Sequence, residues 1–101
     1  MAQLSTLYDA RAARYAEMND AAGAVADFQR SLELTAELCR RWPQVPDYLG
    51  KRSRRHRHLG DHFLRAQEFA AAINQYRQAL QLEQQLERAF PDYRDANYLT
   101  P

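Results

Sequence analysis

The densest concentration of functional side chains is Lys51-Arg52-Ser53-Arg54-Arg55-His56-Arg57-His58, which holds five Lys/Arg and no acid. On a helix, where successive residues turn by about 100°, Arg54, Arg57, His58, Asp61 and Arg65 fall on one face. His56, Leu59, Gly60 and Phe63 fall on the opposite face, toward a core in which His56 is expected to pack as a neutral histidine. Arginine grips carboxylates through two parallel hydrogen bonds, so the polar face suits an acidic peptide segment or a chain-terminal carboxylate. The alternative is a plain solvated helix face. The cluster lies close to a helix N-terminus, where the macrodipole favours acids, and Asp47 alone offsets that conflict.

Other candidate chemistry is thinner. His58 and His62 stand four apart and could share a metal from one helix turn. Leu59-Gly60-Asp61 between them lacks the glutamate of a HExxH pair, and no third ligand converges, so both are expected as surface residues without a metal or other cofactor. Cys39 has no histidine partner in its own segment and lies on an apolar helical stripe, which predicts a buried structural thiol. As the single cysteine it excludes an internal disulfide and fits a reducing compartment. There is no Gly-rich phosphate loop. Glu33, Glu37, Glu83 and Glu87 sit among Gln and Arg, as solubility and i,i+4 pairing require. A non-enzymatic chain is expected.

Bulk properties narrow the class further. With 101 residues, 46% hydrophobic and 27% charged, the chain fits a single globular domain. Gly and Pro number only 3 and 4, while Ala, Leu, Gln, Glu and Arg abound, so the composition leans all-α. A net charge of +1 gives no general attraction to nucleic acid, and the basic run has no interleaved aromatics for base stacking. Binding of nucleic acid through residues 51–58 therefore ranks below a protein partner. No apolar run approaches the roughly 18 residues of a membrane span, and MAQLSTLYDARAARY is no signal peptide. The cytoplasm is the default location.

The elements that must position these residues are four helices. The first covers about Gln3–Met18, with Leu4, Leu7, Tyr8, Ala12 and Tyr15 on one side. Asn19-Asp20 breaks the chain and can cap the second, about Ala21–Arg41. Its positions Val25, Phe28, Leu32, Thr35, Cys39 and Trp42, widened by Leu34 and Leu38, draw the buried stripe. Pro43 and Pro46 stop it, and Asp47 is placed to start the third helix, about Asp47–Ala66. The fourth, about Phe69–Phe90, is expected to bury Ile73, Tyr76, Ala79, Leu80, Leu86 and Phe90 before Pro91 ends it.

These helices repeat. Ala24–Pro43 returns 48 positions later as Ala72–Pro91, with Ala24/Ala72, Leu32/Leu80, Leu34/Leu82, Leu38/Leu86, Arg40/Arg88 and Pro43/Pro91 identical. The unit is helix, tight turn, helix, Pro-containing turn, with unit one at about 3–46 and unit two at about 47–91. Residues 92–101 form a tail or the start of a further helix. Two such units make antiparallel hairpins stacked as a short α-α superhelix; the rival is an up-down four-helix bundle.

The second unit resembles a tetratricopeptide repeat. Leu59-Gly60 and Phe63 match the family's Leu-Gly and aromatic positions, and Ala72, Tyr76 and Ala79 its small, aromatic and small positions. Ala12, Tyr15, Ala24, Phe28 and Ser31 take the corresponding places in unit one. Arg11 stands where Leu59 does, the usual following proline is missing, and the period of 48 exceeds the standard of about 34; the chain is similar to long-helix variants of the family. The resemblance implies a non-catalytic scaffold that binds protein segments in a groove lined by the first helix of each unit. Arg54, Arg57, His58, Asp61 and Arg65 would line it in unit two, Asp9 and Glu17 in unit one, giving a mixed groove. Because repeat arrays usually need about three units, the chain is expected to be part of a longer array or to self-associate. A structural self-association module is the alternative function.

Overall fold

The structure, a computed structural model, describes residues 2–18 and 20–93. It is all-α: α1 spans Ala2–Glu17, α2 Ala21–Arg41, α3 Pro46–Arg65 and α4 Phe69–Ala89, and the described residues contain no strand. The ends fall where the local chemistry puts them. Asp20 accepts a hydrogen bond from the Gly23 N–H at 3.0 Å and so satisfies one open donor of α2. Pro43, which has no N–H, stops α2 behind Trp42.

The start of α3 differs from the expected one. Pro46 takes the first helical position, Val45 precedes it as a cap without a side-chain bond, and Asp47 lies inside the first turn. There it complements the macrodipole and accepts the hydroxyl proton of Tyr93. Asn19, and the tail from residue 94 onward with its expected further helix, lie outside the described residues.

The 48-residue echo is carried by the backbone. Asp20 N–H donates to Tyr15 C=O at 2.7 Å, as Glu68 N–H does to Phe63 at 2.9 Å. Trp42 N–H donates to Leu38 at 2.9 Å, as Phe90 N–H does to Leu86 at 2.8 Å. Val45 and Tyr93 repeat the pattern toward Trp42 and Phe90. Equivalent residues thus close equivalent turns, and each unit is one antiparallel hairpin.

Small residues let the paired helices approach. Ser31, buried in α2, donates to the Ser5 carbonyl at 2.9 Å, and Ser53, buried in α3, donates to the Ala79 carbonyl at 3.2 Å. Ser5 and Ser53 are themselves equivalent positions. The hairpins then stack through α2 and α3, with a lesser approach of α1 to α3. Among the described residues α4 nowhere comes within 8 Å, Cα to Cα, of α1 or α2. A closed four-helix bundle would need that fourth side, so the hairpins form an open stack.

Two apolar clusters hold the stack. Ala12, Ala24, Phe28 and Leu59 form one, flanked by Tyr15, Val25, Leu32 and Phe63. Leu49, Leu82 and Leu86 form the other, with Cys39, Phe90 and Tyr93 against it. Several expected core residues lie elsewhere. Leu4, Leu7, Ile73 and Leu80 are exposed, because no described element packs over the side of α1 or α4 that carries them, and Trp42, just past the end of α2, is exposed as well. Cys39 is half-buried rather than buried; desolvation raises its thiol, opposed by the charge and a hydrogen bond of Arg52.

Candidate functional site

The expected polar face of α3 exists, and the structure shows what holds it. His56, Leu59 and Gly60 are buried on the core side. Arg54 is half-buried, whereas Arg57, Asp61 and Arg65 are exposed. On one flank His58 donates its Nδ1–H to Asp9 of α1 at 2.7 Å. On the other, Arg57 bonds Glu83 of α4, and the Tyr76 hydroxyl donates to Asp61 at 2.5 Å. That bond holds the Tyr76 phenol well above its usual range, pushed up to about 12.

Asp9 therefore departs from its expected role. It is not an open acidic wall facing a basic one; its side chain is only 13% exposed and is shared between His58 and Arg55. Glu17 stands exposed at the C-terminal end of α1, and Arg65 at the equivalent end of α3. Of the seven expected residues the structure joins Asp9 to His58, and it sets Arg57 and Asp61 toward α4.

Arg55 carries a role that helical spacing alone did not reveal. It is 5% exposed and reaches across to α1, donating to Thr6 Oγ1 at 3.2 Å with Asp9 Oδ2 3.8 Å away. Its Nε and Asp9 Oδ1 make no hydrogen bond, so the ion pair is a loose contact. Burial lowers the guanidinium pKa, the Asp9 charge raises it, and Arg54 lowers it again. The position lies about 100° from Arg54, on the edge between the polar and core faces. A sequence reading of two opposite faces passes over such an edge.

His62 corrects the surface assignment. It is 7% exposed, its ring centroid 5.9 Å from that of Phe28 and 5.8 Å from that of Phe63. Among the described residues no three His, Cys, Asp or Glu side chains converge as a metal site. No helix among them is long and apolar enough to cross a membrane.

Unit one handles the equivalent positions differently. Arg11, where unit two has Leu59, reaches across its own hairpin to Asp27 with bonds of 2.5 and 2.9 Å. The bond and charge of Arg11 hold the Asp27 carboxyl below its usual range, against the opposing effect of burial. Unit two has Gln75 in place of Asp27, and that amide pairs with His56 instead. The helical frame repeats while its polar fittings do not.

Compared with known proteins, the chain matches no family model, no curated protein and no solved structure. The functional reading rests on the geometry.

Proposed function

We propose that this chain is a non-catalytic protein-interaction module of the tetratricopeptide type, which holds an acidic partner segment against the exposed sides of α1 and α3. The observation that carries this reading is the cross-helix junction. His58 on Asp9 and Arg55 on Thr6 tie α1 to α3, which makes their outer sides one continuous surface with Arg54, Arg57 and Arg65 along it. A carboxylate arriving there competes for Arg57 with Glu83, which keeps the hydrogen bond from Ser53 at 3.0 Å when Arg57 turns to the ligand. Asp61 and Glu17 on the same surface set the register of an acidic segment by repelling carboxylates placed against them.

The reading is tested by fluorescence anisotropy with labelled acidic decapeptides carrying a free C-terminal carboxylate. Replacing Arg54, Arg57 and Arg65 together by Ala should weaken binding by about tenfold or more, and added salt should weaken the wild-type complex more than that of the variant. Equal affinity of the two proteins would move the ligand site elsewhere.

A further inference from the structure

The contact between α2 and α3 is made of two halves, and each half recurs, uncovered, at one end of the molecule. On α2, Val25, Phe28 and Leu32 share one cluster with Leu59 and Phe63 of α3, and the Phe28 ring meets His62. The counterparts on α4, 48 residues on, are Ile73, Tyr76 and Leu80. Ile73 is 50% and Leu80 52% exposed, with Phe69 at the head of the same stripe 58% exposed. At the other end, Arg11, Arg14 and Tyr15 of α1 are the counterparts of Leu59, His62 and Phe63. They border an open groove of about 590 Å³ together with Leu4, Leu7 and Met18, of which Leu7 is 65% and Met18 66% exposed.

We propose that a second copy of this chain stacks on the first head to tail, its α1 lying on α4 as α3 lies on α2 within one molecule. The internal contact supplies the register. Arg14 of the incoming copy falls on Tyr76 where His62 meets Phe28, and Tyr15, the counterpart of Phe63, falls on the stripe beside it. An arginine over a tyrosine ring is an attractive pair, and the α1 surface already holds one, with the Arg11 guanidinium 5.3 Å from the Tyr8 ring centre. The charges agree as well. Glu87 is exposed in line with the α4 stripe and Arg14 is exposed on the face of α1, whereas Glu83 and Arg11 are already paired with Arg57 and Asp27 within the molecule.

The two faces differ in their fittings: arginines and tyrosines border the apolar groove on α1, while Phe69, Ile73 and Leu80 lead the stripe on α4. Because α1 of one copy lies on α4 of the next, the contact is heterologous and each added copy presents a fresh end.

Sedimentation velocity on the full chain tests this. The wild-type mass should climb above the 11.8 kDa monomer as concentration rises, passing a dimer without stopping there. Ile73→Glu with Leu80→Glu, and separately Leu7→Glu with Met18→Glu, place charges at residues already half exposed or more, so both proteins should keep the wild-type helical circular dichroism. Each alone should associate at least about tenfold more weakly, since a carboxylate is buried at the contact. Mixed in equal amounts, the two variants should form a dimer and stop, because each brings one intact face. A wild-type chain that stays monomeric at the highest soluble concentration overturns the proposal. So does a mixture of folded variants that fails to pair, and so does association abolished by the α4 changes alone, which would mean α4 against α4. Acidic-peptide binding by the Ile73→Glu/Leu80→Glu variant, altered on α4 alone, is unaffected under the proposal, so failure here leaves the peptide surface on α1 and α3 separately decidable.

Discussion

His56 lies 6% exposed with its Nδ1–H donated to the Gln75 side-chain oxygen at 2.7 Å. Burial lowers its pKa, the Gln75 bond opposes that shift, and the charge of Arg52 adds to it. The folded protein therefore resists a proton that the unfolded chain takes up near the ordinary value of 6.5. Stability from this group is present above that value and is lost as pH falls toward the lowered folded value. Urea midpoints measured between about pH 7.5 and 5 should decline, and His56→Gln should flatten the decline. A wild-type profile no steeper than that of the variant would contradict the assignment. Core packing of His56 was legible in the sequence because it shares a helical face with Leu59, Gly60 and Phe63. The partner was not legible: pairing with Gln75 depends on how α4 is set against α3, which no spacing within one helix encodes.

At the scale of elements, the turn between α3 and α4 holds a residue that works against its own backbone. Gln67 has a φ of 62°, in the left-handed region. Its N–H donates to Leu64 C=O at 3.0 Å while Glu68 N–H donates to Phe63 C=O at 2.9 Å, the paired bonds of a Schellman motif. Glycine is the usual residue at that place because it has no Cβ to strain. Gln67→Gly should raise stability by about 0.5–1 kcal/mol, the left-handed penalty outweighing the added freedom of the unfolded chain. Thermal unfolding checks the sign, and a lower midpoint would mean that the Gln67 side chain contributes more than the strain removes. The helix ends themselves were readable to within about two residues, because Asp20, Pro43, Pro46 and Pro91 act through local bonds and missing donors.

The stripes were harder to read, for a reason that belongs to stacking. Val25 and Leu32 are half-buried while their counterparts Ile73 and Leu80 are exposed, although the pairs match in size and polarity. Periodicity marks the side of a helix built to be covered; it does not say whether the cover is present. The same blindness hid Asp9, whose carboxylate is occupied by His58 from a helix 49 residues away in sequence. By contrast Ser5 and Ser53, the small residues at which each hairpin closes, stand at the repeat distance with the same identity. That signal was present in the chain and lay outside the stretch whose identity is most evident.

For the molecule as a whole, these pieces describe a two-hairpin stack with one polar side surface and two unlike apolar ends. Under the two proposals the work is divided: the ends extend the stack, and the side surface, tied together by Asp9, His58, Arg55 and Thr6, holds a partner segment. The division predicts that the two kinds of binding are separable by mutation, since Arg54, Arg57 and Arg65 lie on α3 and Ile73 and Leu80 on α4. The most direct test of the central claim is nuclear magnetic resonance of the arginine side-chain Nε–H groups during titration with an acidic decapeptide. The resonances of Arg54, Arg57 and Arg65 should move together and saturate, while that of Arg40, paired with Glu37 at the C-terminal end of α2, stays in place. Movement confined to arginines outside α3, or no saturable movement at all, would contradict the account.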